Sequence, residues 1–523
     1  MKRCPQCRRD YLDDTLLYCL DDGSRLLDGP AEAASGGDEP ATALFGVLPL
    51  DGLESPTAVL GSSADVEASI AVLPFAHLSS DPDHEYFCDG LAEELLNALT
   101  KIDGLKVAAR TSAFSFKGKH TDINEISRKL GVRNVLEGSV RKSGDRLRIT
   151  VQLVNASDGY HVWSERYDRE MRDIFEIQDE ITLAVVAALK LKLFGDERSA
   201  VLKKGTENPD AYELYLRGRA LWNKRTPTEF DKAIEYFEKA VKIDPEYSLA
   251  LAGIADCYAL LAYFEVYAPH ELLAPARTAA SRAIELDADS AEAHTAMAMY
   301  KLIFEFDRPA IEFHFQRAIE INPRYVNAQY LYGTHLAATG RFEKAFERGR
   351  IALELDPLNQ PLNGNVARVL YIARRYDDAI ALALENLVIA PNFFFFHWVL
   401  GVSYREIGRL DDAIEHLKLA VAGSGIFALK GDLGVALAKA GRHDQARALL
   451  AELEAESKKR YVSPQWSSVI YAALGEKDRA LRYLKQGWDV RAIQLVWMAV
   501  DPNFDVLRDE PDFQAILARL ETP

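Results

Sequence analysis

Residues 323–356 read PRYVNAQYLYGTHLAATGRFEKAFERGRIALELD, and this stretch decides how the longest part of the chain folds. Its landmarks return at a spacing of 34: Gly333, Ala367 and Gly401; Ala345, Ala379 and Ala413; Pro323, Pro357 and Pro391. A repeat of this length suits one helix–turn–helix unit. The small residues mark where the two helices of a unit cross, because a side chain larger than a methyl group would push them apart. The proline ends the second helix, since it cannot donate the next backbone hydrogen bond.

A 34-residue unit with small residues at these points resembles the tetratricopeptide repeat. Working outward, the first unit carries Gly218, Ala233, Phe237, Ala240 and Pro245, with a few extra residues around Thr226 and Pro227. The series runs through Ala255 and Ala283, Ala298 and Ala318, Gly434 and Ala446, and Ala480. About eight repeats are expected over 207–523, the second stretched in its turn and the last two degenerate. In such arrays the first helix of each unit lines a concave groove. The resemblance therefore places Tyr212, Tyr215, Arg219 and Trp222 of repeat one there, and Phe395, Trp398, Val402 and Arg405 of repeat six. Aromatic rings beside an arginine make peptide anchors, so Tyr215, Arg219, Phe395, Trp398 and Arg405 are candidate contacts for a protein or peptide partner. Most of the aromatics around Phe393-Phe394-Phe395-Phe396 are expected to pack on the neighbouring repeat instead. The Lys/Asn set by which some such arrays hold a terminal carboxylate is missing from repeat one.

Upstream, residues 69–195 alternate between strand and helix signals. Ile70 to Phe75 is a continuous apolar run that suits a buried strand. Asp89 precedes a helical stripe of Leu91, Leu95, Leu96, Leu99 and Ile102, with Glu93 and Glu94 expected on its hydrated side. Leu105 to Ala109 reads as a second strand, and Ile123 to Leu130 as a short helix closed by Gly131. Three strands follow, at Asn134–Lys142, Arg146–Asn155 and Tyr160–Tyr167, the middle one alternating Leu147, Ile149, Val151 and Leu153 with polar neighbours. Asp173 and Glu176 form an expected capping box before a last amphipathic helix. The motifs IAVLPF, EYFCDGLAEEL, NVLEGSVRKSGDRLRITVQLVNASDGYHVWSERYD and IFEIQDEI, in this order, resemble the TolB amino-terminal-like (FlgO-like) domain. That family's members commonly place this module and its repeats behind a cyclase, kinase or DNA-binding output domain. No such output domain is readable here, so the resemblance implies a sensory or scaffolding role.

The first 26 residues hold Cys4, Cys7 and Cys19, with Asp22 where a fourth cysteine would stand. A tight C-x-x-C turn supplies two tetrahedral ligands, and a carboxylate oxygen is a permitted third kind. Cys4, Cys7, Cys19 and Asp22 are thus candidate ligands of one structural zinc. A metal-free ribbon packed around Tyr11, Leu16, Leu17 and Tyr18 is the alternative. This head resembles the zinc-ribbon-like N-termini of many bacterial signalling proteins. Residues 27–68 hold eight acidic side chains and no lysine or arginine, a composition expected to be a disordered acidic linker.

Composition narrows the function. With 48% hydrophobic residues the chain can bury a core, and no apolar run is long enough to span a bilayer. A net charge of −17 with no basic segment argues against nucleic acid. The start lacks a signal-like apolar segment, and Cys88 and Cys257 lie alone in apolar patterns, which points to the cytoplasm. No nucleophile elbow, zincin, Walker or kinase signature occurs. The expected architecture is multidomain: a small zinc-ribbon-like head, a mixed α/β domain and an all-α tetratricopeptide repeat superhelix. The expected role is a non-enzymatic bacterial signalling scaffold. Three other possibilities stay open: an enzyme or small-molecule sensor using the His77–Glu85 loop of the α/β domain, a phosphate at Lys117–His120, and DNA contact through the head.

Overall fold

The computed structural model describes residues 2–3, 10–11, 27–28, 68–78, 85–119, 121–193, 195–424 and 427–521. The chain divides into two compact units, 1–65 and 66–523. In the first, β1 (Lys2–Arg3) pairs antiparallel with β2 (Asp10–Tyr11) on one side and β3 (Leu27–Asp28) on the other. The third strand thus uses the first two residues of the expected linker. Cys4, Cys7, Cys19, Asp22 and the rest of that linker lie outside the described residues.

The second unit opens with a mixed sheet. Strands β4 (Ala68–Val72), β5 (Ala76–His77), β6 (Leu105–Val107), β7 (Asn134–Ser143), β8 (Arg146–Asn155) and β9 (His161–Glu170) are ordered β6-β4-β7-β8-β9, with β5 also on β7. β4 is parallel to β6 and β7, and β7, β8 and β9 form an antiparallel meander. Ile70, Ala71 and Val72 are buried on both faces, as their unbroken apolar run requires. In β8 the alternate residues Leu147, Ile149, Val151 and Leu153 are buried while Arg146 and Arg148 are exposed. The covering helices are α1 (Glu85–Thr100), α2 (Arg110–Phe114), α3 (Ile123–Leu130) and α4 (Ile174–Ala188). The reciprocal capping box forms one turn earlier than the sequence suggested: Glu170 and Asp173 cap each other's backbone N–H groups, and Asp173 makes no side-chain cap to the helix it precedes.

After α5 (Gly195–Val201) come eight helix pairs. They are α6 (Pro209–Trp222) with α7 (Pro227–Ile243), α8 (Ser248–Tyr263) with α9 (Pro269–Leu286), and α10 (Ala291–Tyr300) with α11 (Arg308–Ile321). Next are α12 (Val326–Ala338) with α13 (Phe342–Leu355), and α14 (Gln360–Ile372) with α15 (Tyr376–Ile389). Then α16 (Phe394–Glu406) pairs with α17 (Leu410–Ser424), α18 (Lys430–Lys439) with α19 (His443–Glu456), and α20 (Pro464–Ala473) with α21 (Lys477–Asp489). Two 3-10 turns and α22 (Pro511–Glu521) finish the described chain. Asn208 starts the array by accepting from the backbone N–H groups of Asp210 and Ala211, with Pro209 in the first turn, where its missing N–H costs nothing. The 34-residue period follows from the crossing of each pair. A methyl on Gly401 would lie 2.5 Å from Leu417 Cγ and 3.1 Å from the Ala413 carbonyl.

Two features recur through the array. In four successive units a buried or half-buried polar side chain of the first helix reaches the carbonyl six residues before it. His294 Nε2 meets Ala288 at 3.0 Å, Gln329 donates to Pro323 at 2.7 Å, Asn363 to Pro357 at 3.0 Å, and His397 Nε2 meets Pro391 at 3.1 Å. Each satisfies a carbonyl left over where the preceding helix stops. The second feature lies in the turn inside each pair, where one residue takes a left-handed backbone. Repeats four, six, seven and eight place Gly340, Gly408, Gly441 and Gly475 there; repeats one, two, three and five place Arg225, Glu265, Phe306 and Arg374. Among the described residues no helix is long and apolar enough to cross a membrane.

Candidate functional site

The sheet domain is fastened to the array through α1. Gly90, mid-helix, allows α6 to approach so closely that a methyl there would lie 2.7 Å from Leu216 Cδ2. Three residues on is Glu93, only 4% exposed, a correction to the hydrated position expected for it. Arg110 Nε donates to one carboxylate oxygen at 2.6 Å, Arg219 Nη2 to the other at 2.6 Å, and Asn223 adds a third bond at 3.2 Å. Burial alone would raise the Glu93 carboxyl; the charges of Arg110 and then Arg219 outweigh it and hold the group at about 2. Its neighbour Glu94 goes the other way, pushed up to about 7 by burial and by the charge of Glu93. Tyr86 and Lys142 both donate to Glu213 of α6, at 2.5 and 2.8 Å.

A second attachment joins α2 to the turn between repeats four and five. Asp356 accepts from the Ser112 backbone N–H at 2.9 Å and its hydroxyl at 2.5 Å, and the Ser112 oxygen in turn accepts from Leu358 N at 2.9 Å. The sheet domain therefore bridges the array rather than resting on its first repeat alone.

The last repeat also returns to touch the early ones. Trp466 Nε1 of α20 donates to both carboxylate oxygens of Glu265, at 3.0 and 2.8 Å. Arg491 donates to the Phe304 carbonyl at 3.1 Å, and the Phe306 and Trp488 rings lie 6.3 Å apart. Burial pushes the Glu265 carboxyl up to about 7. Between these closures and the sheet domain lies a chamber of about 1660 Å³, walled by α1, α6, α8 and α14 among others.

The five residues expected to grip a peptide fare differently. Tyr215 is buried against Phe237 and Tyr247, with ring centroids 5.8 and 5.0 Å away. Arg219 is spent on Glu93. Arg405 is 2% exposed, and its nitrogens donate to Glu406 at 2.8 Å, Asp432 at 3.1 Å and the Tyr371 hydroxyl at 3.0 Å, which leaves it no free edge for a partner. A guanidinium this deep must be neutralised internally, and a period alone carries no sign of that. Phe395 and Trp398 are half-buried, stack at 5.5 Å and face the chamber, with Trp398 Nε1 donating to Asp432 at 2.8 Å. Of the His77–Glu85 loop, residues 79–84 lie outside the described residues. Lys117 is paired with Glu85 and Asp89 at 2.7 and 2.6 Å; His120 is outside the described residues. Arg110, Asp356 and Glu265 escaped the sequence reading, and Glu93 lies on the opposite side of its helix from the one expected. The mid-helix glycine at 90 was the available sign of a close approach.

Tetratricopeptide repeat models match residues 214–247, 314–360 and 400–461, so the array consists of these repeats. Residues 66–183 match the HilA/YgeH-like transcriptional regulator, second domain, which replaces the expected TolB amino-terminal-like (FlgO-like) assignment. A protein named putative adenylate cyclase 3, from Rhizobium meliloti (strain 1021), is 39% identical over 233 residues, which is 44% of this chain and 40% of that protein. Transcriptional regulator HilA from Salmonella typhimurium is 24% identical over 322 residues, 61% of this chain and 56% of that one. The chain thus spans about half the length of these relatives or less. The crystal structure of yeast Tom70 aligns with 66% of this chain and 82% of its own at 14% identity, with a TM-score of 0.38. The expected exclusion of nucleic acid draws no support from relatives of which one is named a transcriptional regulator.

Proposed function

We propose that this chain is a non-enzymatic bacterial signalling scaffold, in which the repeats and the α/β module form one platform for a protein partner. The observation that carries it is the double attachment of the module, through Glu93 to repeat one and through Ser112 and Asp356 to the turn before repeat five. A buried carboxylate shared by two arginines couples the parts firmly, since breaking such a cluster costs about 3–5 kcal/mol. A stretch that resembles parts of both a putative cyclase and a transcriptional regulator suits a shared regulatory platform better than either output. The aromatic pair Phe395 and Trp398 is half-buried and, unlike the half-buried Arg219, is not tied up by an ion pair to the sheet domain. In the head, Cys4, Cys7 and Cys19 with Asp22 would hold a structural zinc.

The test is affinity capture on the full chain beside Phe395→Ala, with metal analysis of the same preparation. A defined protein retained by the parent and lost by the variant is expected, together with about one zinc per chain that Cys4→Ser removes. Capture indifferent to Phe395, or absent while the chain is folded, would count against the partner site.

A further inference from the structure

Buried arginines are normally neutralised, and the contrast between Arg405 and Arg368 turns on this. Arg405 has two carboxylates. Arg368, on α14 and 7% exposed, has none within ion-pair distance among the described residues. Its Nη1 donates to the Tyr263 hydroxyl at 2.6 Å and its Nη2 to Asn365 Oδ1 at 2.8 Å, both neutral. Its Nε is buried with no hydrogen-bond partner. The guanidinium lies 4.5 Å from the Trp497 ring, which restrains it without cancelling its charge.

A second guanidinium, on the half-buried Arg225, also faces an aromatic ring. Arg225 makes no ion pair among the described residues and lies 3.6 Å from the Trp222 ring. Burial pulls it below its usual range. Tyr330 links the two: burial raises its phenol, and the positive charges of Arg225 and Arg368 both act against that rise. Asp256 is within electrostatic reach of Arg225; burial pushes its carboxyl up to about 6, so at neutral pH it offsets part of that charge without forming an ion pair. Arg225, Arg368, Tyr263, Tyr330, Trp222 and Trp497 all line the chamber.

We propose that Arg368 and Arg225 bind a small organic anion, a carboxylate or a phosphate carried on a flat unsaturated body, within this chamber. The charge requirement comes from Arg368, held out of water without an ion pair among the described residues, reinforced by the half-buried Arg225, a state that an anionic ligand relieves. The flat body comes from the tyrosine and tryptophan walls. The size limit comes from the closures that fold repeat eight back onto repeats two and three. The site shares its chamber with the aromatic pair of the proposed partner surface, the Arg368 guanidinium lying 6.0 Å from the Phe395 ring, and it is distinct from the His77–Glu85 loop.

Anilinonaphthalene sulfonate, a flat aromatic anion whose fluorescence rises in apolar sites, is the probe, titrated into the purified full chain. Its uncharged counterpart, phenylnaphthylamine, is the control. Saturable binding is expected, weakened at least about tenfold by Arg368→Met and by Arg225→Gly, the loss of one charged hydrogen-bonding group. The uncharged dye should be unaffected. Arg225→Gly keeps the turn, because four other repeats use glycine there, so the idea stays open to refutation even if Arg368→Met unfolds. Phenylacetate and phenyl phosphate then compete for the site: displacement by one assigns carboxylate or phosphate, and displacement by both shows that either is accepted. Displacement by neither, or dye binding indifferent to Arg225→Gly, overturns the proposal.

Discussion

Two sets of turns in one array solve the same problem with different residues. Repeats four, six, seven and eight use glycine at the left-handed position, where no β-carbon is crowded. Repeats one, two, three and five hold a full side chain in that conformation, at a cost of about 1 kcal/mol or more each. The cost is offset by what those side chains reach. Glu265 receives Trp466, Phe306 packs near Trp488, and Arg374 pairs with Asp505 at 2.8 Å, so three of the four tie the early and middle repeats to the C-terminal end. Arg225 is the exception, with an aromatic ring but no ion pair among the described residues. Such turns are thus contact points between distant repeats, and the one at Arg225 makes no comparable tie.

The comparison can be broken most sharply at Phe306. Phe306→Gly relieves the backbone but removes a buried ring, and a net loss of about 2 kcal/mol is expected in denaturant unfolding. No loss would mean that closing the spiral contributes nothing to stability.

A second effect should appear at Glu265, and it depends on pH. Its folded carboxyl sits near 7 against an ordinary 4.5, so the protonated form favours the fold. That contribution is complete below about 4.5 and is lost as pH rises through about 7, with a slope of at most about 1.4 kcal/mol per pH unit. Glu265→Gln keeps an acceptor for Trp466 and should flatten the decline in thermal stability between pH 5 and 8. An unchanged slope would place the titrating group elsewhere.

The smallest effects form a matched pair. Gly408, with open space around its missing β-carbon, should lose about 1 kcal/mol on Gly408→Ala purely through the backbone. Arg225→Gly should gain up to about 1 kcal/mol, because no ion pair is surrendered. Thermal melts of both variants decide whether the two sets of turns share one conformational cost.

Much of the architecture was readable in advance because it rests on local rules. The spacing of Gly333, Ala367 and Gly401 follows from helix crossing, and the alternation from Leu147 to Leu153 from a sheet with one wet face. The capping box slipped by one turn, from Asp173–Glu176 to Glu170–Asp173, because both pairs carry the same chemistry and only the end of β9 selects between them. The groove residues were harder to place. Tyr215, Arg219 and Arg405 fit the periodic pattern of a peptide surface, yet each is consumed by a neighbour that the period does not mention.

The sequence by itself determined the repeat, the number of helix pairs and the strand order of the meander, since these depend on residues within one or two turns of each other. Only the tertiary structure decided that Glu93 meets Arg219, that Asp356 meets Ser112, and that Glu265 meets Trp466. Glu93 meets Arg219 where α1 packs on the first pair, whereas Glu265 and Trp466 are brought together by the accumulated rotation of the stacked pairs between them, a small angle that is not written in any single unit. The fold leaves Arg368 buried beside neutral groups, a charge for which the described residues supply no ion pair.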